Sequence, residues 1–154
     1  MANYEAKTRT NNFSVTDVDK FYQLMEMCVG NECPVEVFME KSTDDDSTMF
    51  GFYCNGSILG LPATTEDTEP EDLDYESCDD EYDHDLFCKF LQQLVTEDTA
   101  IIITEIGSEK FCYFVGVCTI ITKSEIRVVD VQDVALIEAR KMLGNPEYTT
   151  NMDY

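Results

Sequence analysis

The chain has 154 residues, 44% of them apolar, which is enough for one domain with a proper core and too short for a second substantial one. Ten Lys and Arg stand against 32 Asp and Glu, giving a formal charge of −22 and a pI near 4.1. Such a chain does not bind nucleic acid or an anionic lipid surface unaided, whereas a basic partner suits it. A single His and no Trp remove much of the usual equipment for acid–base chemistry, so a non-enzymatic protein is expected.

The opening residues Met1 to Lys7 lack the apolar core of a signal peptide, and no stretch reaches the ~18 consecutive apolar residues of a membrane span, which together predict a cytoplasmic protein. Phe13-Ser14-Val15 reads as the end of a strand that begins near Tyr4. Thr16 then stands where an N-cap belongs, with Asp19 as its capping-box acid. Val18, Phe21, Tyr22, Met25, Cys28 and Val29 recur at helical spacing, and Gly30 is placed to end that helix. Val35, Val37 and Met39 alternate with acids, as Phe50, Phe52 and Cys54 alternate with Gly51 and Tyr53; the polar residues Ser42 to Thr48 join these runs into a hairpin.

A second helix begins near Asp83 to Asp85 and carries Leu86, Phe87, Phe90, Leu91, Leu94 and Val95 on one side. Three strands follow, about Ala100 to Ile106, Phe111 to Thr122 with Gly116 as a bulge, and Ile126 to Val131; short turns between them predict an antiparallel meander. A last helix runs from about Val131 to Leu143, with Asp130 as cap, Arg140 and Lys141 in its final turn, and Gly144 and Pro146 beyond it. The order β-α-β-β, acidic insert, α-β-β-β-α predicts a single α+β domain over residues 1–154, a mainly antiparallel sheet with three helices on one or both faces, and an insert at 61–85.

Seven cysteines (Cys28, Cys33, Cys54, Cys78, Cys88, Cys112, Cys118) form an odd set without a C-x-x-C, and most lie in apolar runs where a reduced thiol acts as a small hydrophobe. Zinc lacks a finger-like ligand set. Asp72-x-Asp74-x-Glu76 opens like a calcium loop, yet Ser77 occupies the position that needs Gly and Asp83 the position that needs Glu. His84 and Cys88, one helical turn apart, have no third member for a metal site or a nucleophilic triad. No P-loop, dinucleotide fingerprint or nucleophile elbow occurs, and neither metal nor cofactor is expected.

Glu66 to Asp85 holds twelve carboxylates in twenty residues, uninterrupted by Lys or Arg. One reading is a solvated loop that keeps the protein soluble. The other compares its charge spacing with nucleic acid. Fully extended, the segment spans ~66 Å, so its charges lie ~5–6 Å apart against ~3.4 Å between phosphates of one DNA strand. Folded back on the body beside Asp44, Asp45 and Asp46, it approaches the density of a phosphate array. Interleaved Leu73, Tyr75 and Tyr82 add the apolar and stacking surface that single-strand binders offer to bases. On this reading Asp72, Asp74, Tyr75, Glu76, Asp79, Asp80, Glu81, Tyr82 and Asp83 are the partner-binding residues.

Met1-Ala2-Asn3-Tyr4, Arg9, Asn11, Phe13, Val15 and Asp17, with Glu105-x-Gly107-x-Glu109-Lys110-x-x-Tyr113-x-x-Gly116, resemble blocks of small acidic proteins carried by phages, plasmids and integrative elements of Firmicutes. The blocks cover about a quarter of the chain; Cys112 departs from the basic residue usual in such proteins, and the acidic insert is longer. The resemblance implies a mobile-element origin and no catalysis. By analogy with other small acidic phage and plasmid proteins, it implies an inhibitor of restriction or CRISPR systems. The resulting expectation is a DNA mimic that occludes the basic groove of a host defence nuclease, foremost a CRISPR effector. The alternative is an immunity or antitoxin protein that plugs the basic active site of a toxic nuclease.

Overall fold

The computed structural model describes residues 4–45, 47–63, 82–109 and 113–150. Its main sheet has six strands, all antiparallel: β1 (Tyr4–Thr10), β3 (Glu36–Lys41), β4 (Thr48–Cys54), β7 (Ile101–Glu109), β8 (Tyr113–Ile121) and β9 (Ile126–Asp130), in the spatial order β3-β4-β1-β7-β8-β9. Three short segments, β2 (Val29–Gly30), β5 (Ile58–Pro62) and β6 (Tyr82–Asp83), make a small second sheet in the order β2-β5-β6. The helices are α1 (Val18–Met27), α2 (His84–Leu94) and α3 (Val131–Leu143). The α+β class, the antiparallel sheet and the three helices agree with the expectation from sequence.

Period two divides the main sheet into two unlike faces. Thr8, Thr10, Phe50, Phe52, Cys54, Ile101, Ile103, Thr119 and Ile121 point inward and are buried. Against them pack Phe21, Leu24, Met25 and Cys28 of the first helical segment, and Phe87, Cys88, Leu91 and Leu94 of α2. Phe13 bridges the layers: it pairs with Phe50 through the backbone and meets Phe21 and Phe52 edge-on, with centroids 5.6 and 6.1 Å apart. Val15 makes a second isolated bridge, to Val95. The expected strand end at Phe13 to Val15 is thus two single bridges beyond β1.

Several local expectations change. Asp17, not Thr16, caps α1, its carboxylate accepting from the Lys20 amide at 3.0 Å. That shift moves Asp19 out of the capping-box position and into the first turn. The helix ends at Met27 with Cys28 in an extended conformation, and Gly30 lies in β2 instead of terminating the helix. Gly116 makes no bulge, since β7 and β8 stay in unbroken register from Ile101↔Ile121 to Glu109↔Tyr113. A Cβ there would lie 2.7 Å from Val131 Cγ1, so its hydrogen leaves room for the start of α3. That helix closes as expected on Gly144 at φ 62, whose amide returns to the Lys141 and Arg140 carbonyls.

Phe52 is fully buried and lies 5.9 Å from Phe87 as well as against Phe13. Phe52→Ala is expected to cost about 3–5 kcal/mol in urea unfolding with an unchanged slope, because the two helices and the sheet lose their shared contact at once.

Candidate functional site

The residues around the acidic segment differ from the expected structureless connection at 61–85. At its start Leu61 and Pro62 belong to β5, and at its end Tyr82 and Asp83 form β6, paired in the register Leu61↔Asp83 and Pro62↔Tyr82. The last residues of the expected insert, His84 and Asp85, are the first turn of α2. The chain therefore departs from and returns to one place on the surface. Asp72, Asp74, Tyr75, Glu76, Asp79, Asp80 and Glu81 lie outside the described residues.

Two of the sequence-predicted site residues are described, Tyr82 and Asp83, both half-buried. The Asp83 carboxylate accepts from the Leu86 amide at 2.8 Å and so caps α2, satisfying one of that helix's otherwise unpaired donors. Opposite it, Gly60 has φ +108, and a Cβ there would sit 2.5 Å from the Asp83 carbonyl oxygen. Only glycine allows β5 to come this close to β6. The hairpin acids Asp44 and Asp45 lie in the turn between β3 and β4, where the Ser47 hydroxyl and amide both donate to Asp45 and hold its carboxyl below the usual range.

His84, which follows this paired base, also lines a cavity of about 310 Å³ with Thr8, Ile58, Ile103, Glu105, Val117, Thr119 and Val128. Glu105 Oε1 accepts from the Tyr4 hydroxyl at 2.8 Å and the Ser57 hydroxyl at 2.9 Å, which ties β1, the β4–β5 turn and β7 together. Burial, followed by the bond to Glu105, pushes the Tyr4 phenol up to about 12 and keeps it a neutral donor. Sequence periodicity gave no sign of this cluster, whose members come together through the pairing of β1 with both β7 and β4.

His84 Nδ1 lies 3.6 Å from Cys88 Sγ. Burial, and then the Asp85 charge, push the Cys88 thiol up to about 12, so it is no thiolate at neutral pH and supplies no nucleophile. Burial acts the same way on Cys28, also raised to about 12, and lifts Cys54. Cys28, Cys54 and Cys88 are free thiols filling the core, while Cys78 and Cys112 lie outside the described residues. Among the described residues no three His, Cys, Asp or Glu are grouped to hold a metal ion, and no helix is long and apolar enough to cross a membrane. No family model, curated protein or solved structure matches the chain.

Two tests follow from the base and its thiols. Gly60→Ala is expected to destabilise by about 1–3 kcal/mol in urea unfolding. Gly144→Ala, also at positive φ but with nothing within 4 Å, is expected to cost less. Because Cys28 and Cys88 titrate near 12 when folded and 9.0 ordinarily, their contribution is complete below pH 9.0. It is lost as pH rises toward 12, since the unfolded chain releases the protons first. Urea stability should fall through that window, and fall less steeply when both cysteines are replaced by alanine.

Proposed function

We propose that the protein is a non-enzymatic inhibitor that binds the basic nucleic-acid groove of a bacterial defence nuclease, foremost a CRISPR effector, and keeps its substrate out by charge. One observation carries this reading: ten of the sixteen residues from Glu66 to Glu81 are Asp or Glu, and the strand pair β5–β6 joins the two ends of that run at a single point on the body. Both ends of the run are anchored at one patch of the surface. A basic groove meeting this patch exchanges its phosphate contacts for carboxylate contacts, and opposite fields draw the two proteins together. The chain supplies binding and exclusion, and no bond is made or broken.

The test uses a purified guide-loaded Cas9-type effector and a panel of restriction endonucleases, with cleavage of a target plasmid and binding to the immobilised nuclease as readouts. Changing Asp72, Asp74, Asp79, Asp80 and Glu81 to Lys should abolish inhibition and binding, while Asp83 is kept because it caps α2. The control changes Asp44 and Asp46 to Lys and leaves Asp45, whose bonds to Ser47 hold the hairpin turn. It should bind within a few-fold of the unmodified protein. Affinity should drop about tenfold or more between ~50 and ~500 mM NaCl as screening shortens the reach of the charges. Binding indifferent to salt, or inhibition retained by the folded five-site variant, would sink the mimicry reading.

A further inference from the structure

The helix α3 has 13 residues and none of them is buried. Helices of this length are marginal in water without an apolar face packed on something. Its half-buried residues Gln132, Leu136, Ala139 and Arg140 lie on the side toward the body. The opposite side carries Val134 and Ile137, 43% and 49% exposed, flanked by Asp133 and by the Glu138–Lys141 ion pair.

The outer face of the main sheet, turned away from α1 and α2, has a matching deficit. It holds a groove of about 780 Å³ whose walls include Ile102, Ile106 and Phe114. Ile106 and Phe114 remain 65% and 56% exposed. Glu5, Lys7 and Arg9 also line this groove; among the described residues neither cation forms an ion pair, and Arg9 lies over the Phe38 ring while Lys7 does not. Groove and helix adjoin: Val131 sits over Gly116, and Gln132 Nε2 donates to the Phe114 carbonyl at 3.4 Å.

We propose that this face is where two copies of the chain meet about a twofold axis. The Val134 and Ile137 ridge of each copy lies in the Ile106 and Phe114 groove of the other, with Asp133 opposite Lys7. Both halves of the contact, an apolar ridge with Asp133 beside it and an apolar groove with Lys7 beside it, are present on one chain and adjoin. That is what a closed, self-complementary interface requires. Elsewhere the two chains, each at −22, repel, so added salt strengthens this association. Its salt dependence is therefore opposite to that of the proposed nuclease complex. The surface also lies away from the β5–β6 base, and either reading can fail without the other.

Sedimentation equilibrium of the full chain alone, at ~50 and ~500 mM NaCl, decides the matter. The expected mass is twice the 17.6 kDa of the chain, with association several-fold tighter at the higher salt. Phe114→Lys and Ile137→Lys, both at exposed positions, should each return the protein to one chain mass with its far-ultraviolet circular dichroism unchanged. Lys7→Asp should weaken the dimer, and Asp133→Lys added to it should restore association. A single-chain mass for the unmodified protein at ~100 µM, well above a Kd of ~10 µM, overturns the proposal. So does a dimer that survives both lysine substitutions, or one that weakens as salt is added.

Discussion

The fold depends on one continuous aromatic contact. Phe21 of α1 meets Phe13 and Phe50, Phe13 meets Phe52, and Phe52 meets Phe87 of α2, each pair between 5.3 and 6.1 Å. Each ring excludes a large apolar area from water, and edge-on geometry adds to that burial. Because the chain of rings passes from one helix through the sheet to the other, α1 and α2 share the same side. Among the described residues, the opposite side of the sheet is then left without a helical layer, apart from the start of α3 over Gly116. Its lining of Ile102, Ile106 and Phe114 is a consequence of where the aromatics are spent.

Much of this was legible from periodicity. Phe21, Met25 and Cys28 in the first helical segment, and Phe87, Leu91 and Leu94 in α2, are buried as their spacing predicts. Yet Val18, Tyr22 and Phe90, on the margins of the same stripes, stay 38–44% exposed, and Leu24, outside the expected stripe, is 4% exposed. A stripe gives the direction a helix faces and leaves its width to the neighbours. The cap moved from Thr16 to Asp17 because both residue types accept from the first free amides, and the sequence offers them in succession. β5 and β6 were not legible at all. Leu61 and Pro62 find Asp83 and Tyr82 across a stretch of acids, a pairing set by tertiary approach at Gly60 and by no local alternation. The Tyr4–Glu105–Ser57 cluster was hidden for the same reason, its members being far apart in sequence.

The cations are distributed unevenly in function as well as number. Lys20 with Asp17, Arg127 with Glu125 and Lys141 with Glu138 form exposed pairs between residues two or three apart. Such pairs add little to stability in water. Arg9 instead lies 4.8 Å from the centre of the Phe38 ring on the outer sheet face, where the aromatic face takes the role of a counter-charge. Phe38 is thereby held over Gly51, and Tyr53 beside it donates to Glu36, so the β3–β4 edge of that face is covered by its own side chains. The contrast marks off the Ile106 and Phe114 region, where both side chains stay more than half exposed.

The pairing of Leu61 with Asp83 also determines how freely the acidic stretch can vary. Where two strands hold the ends of a chain segment together, the entropy of closing that segment grows only with the logarithm of its length, about 0.6 kcal/mol for each doubling. Insertions and deletions between Pro62 and Tyr82 therefore fall outside the β5–β6 pairing and the Asp83 cap. On this scaling a change in the number of residues there costs little in closure entropy. The rest of the chain has no such freedom, since an added residue in β7 would turn Ile101 and Ile103 out of the core and Ile102 into it.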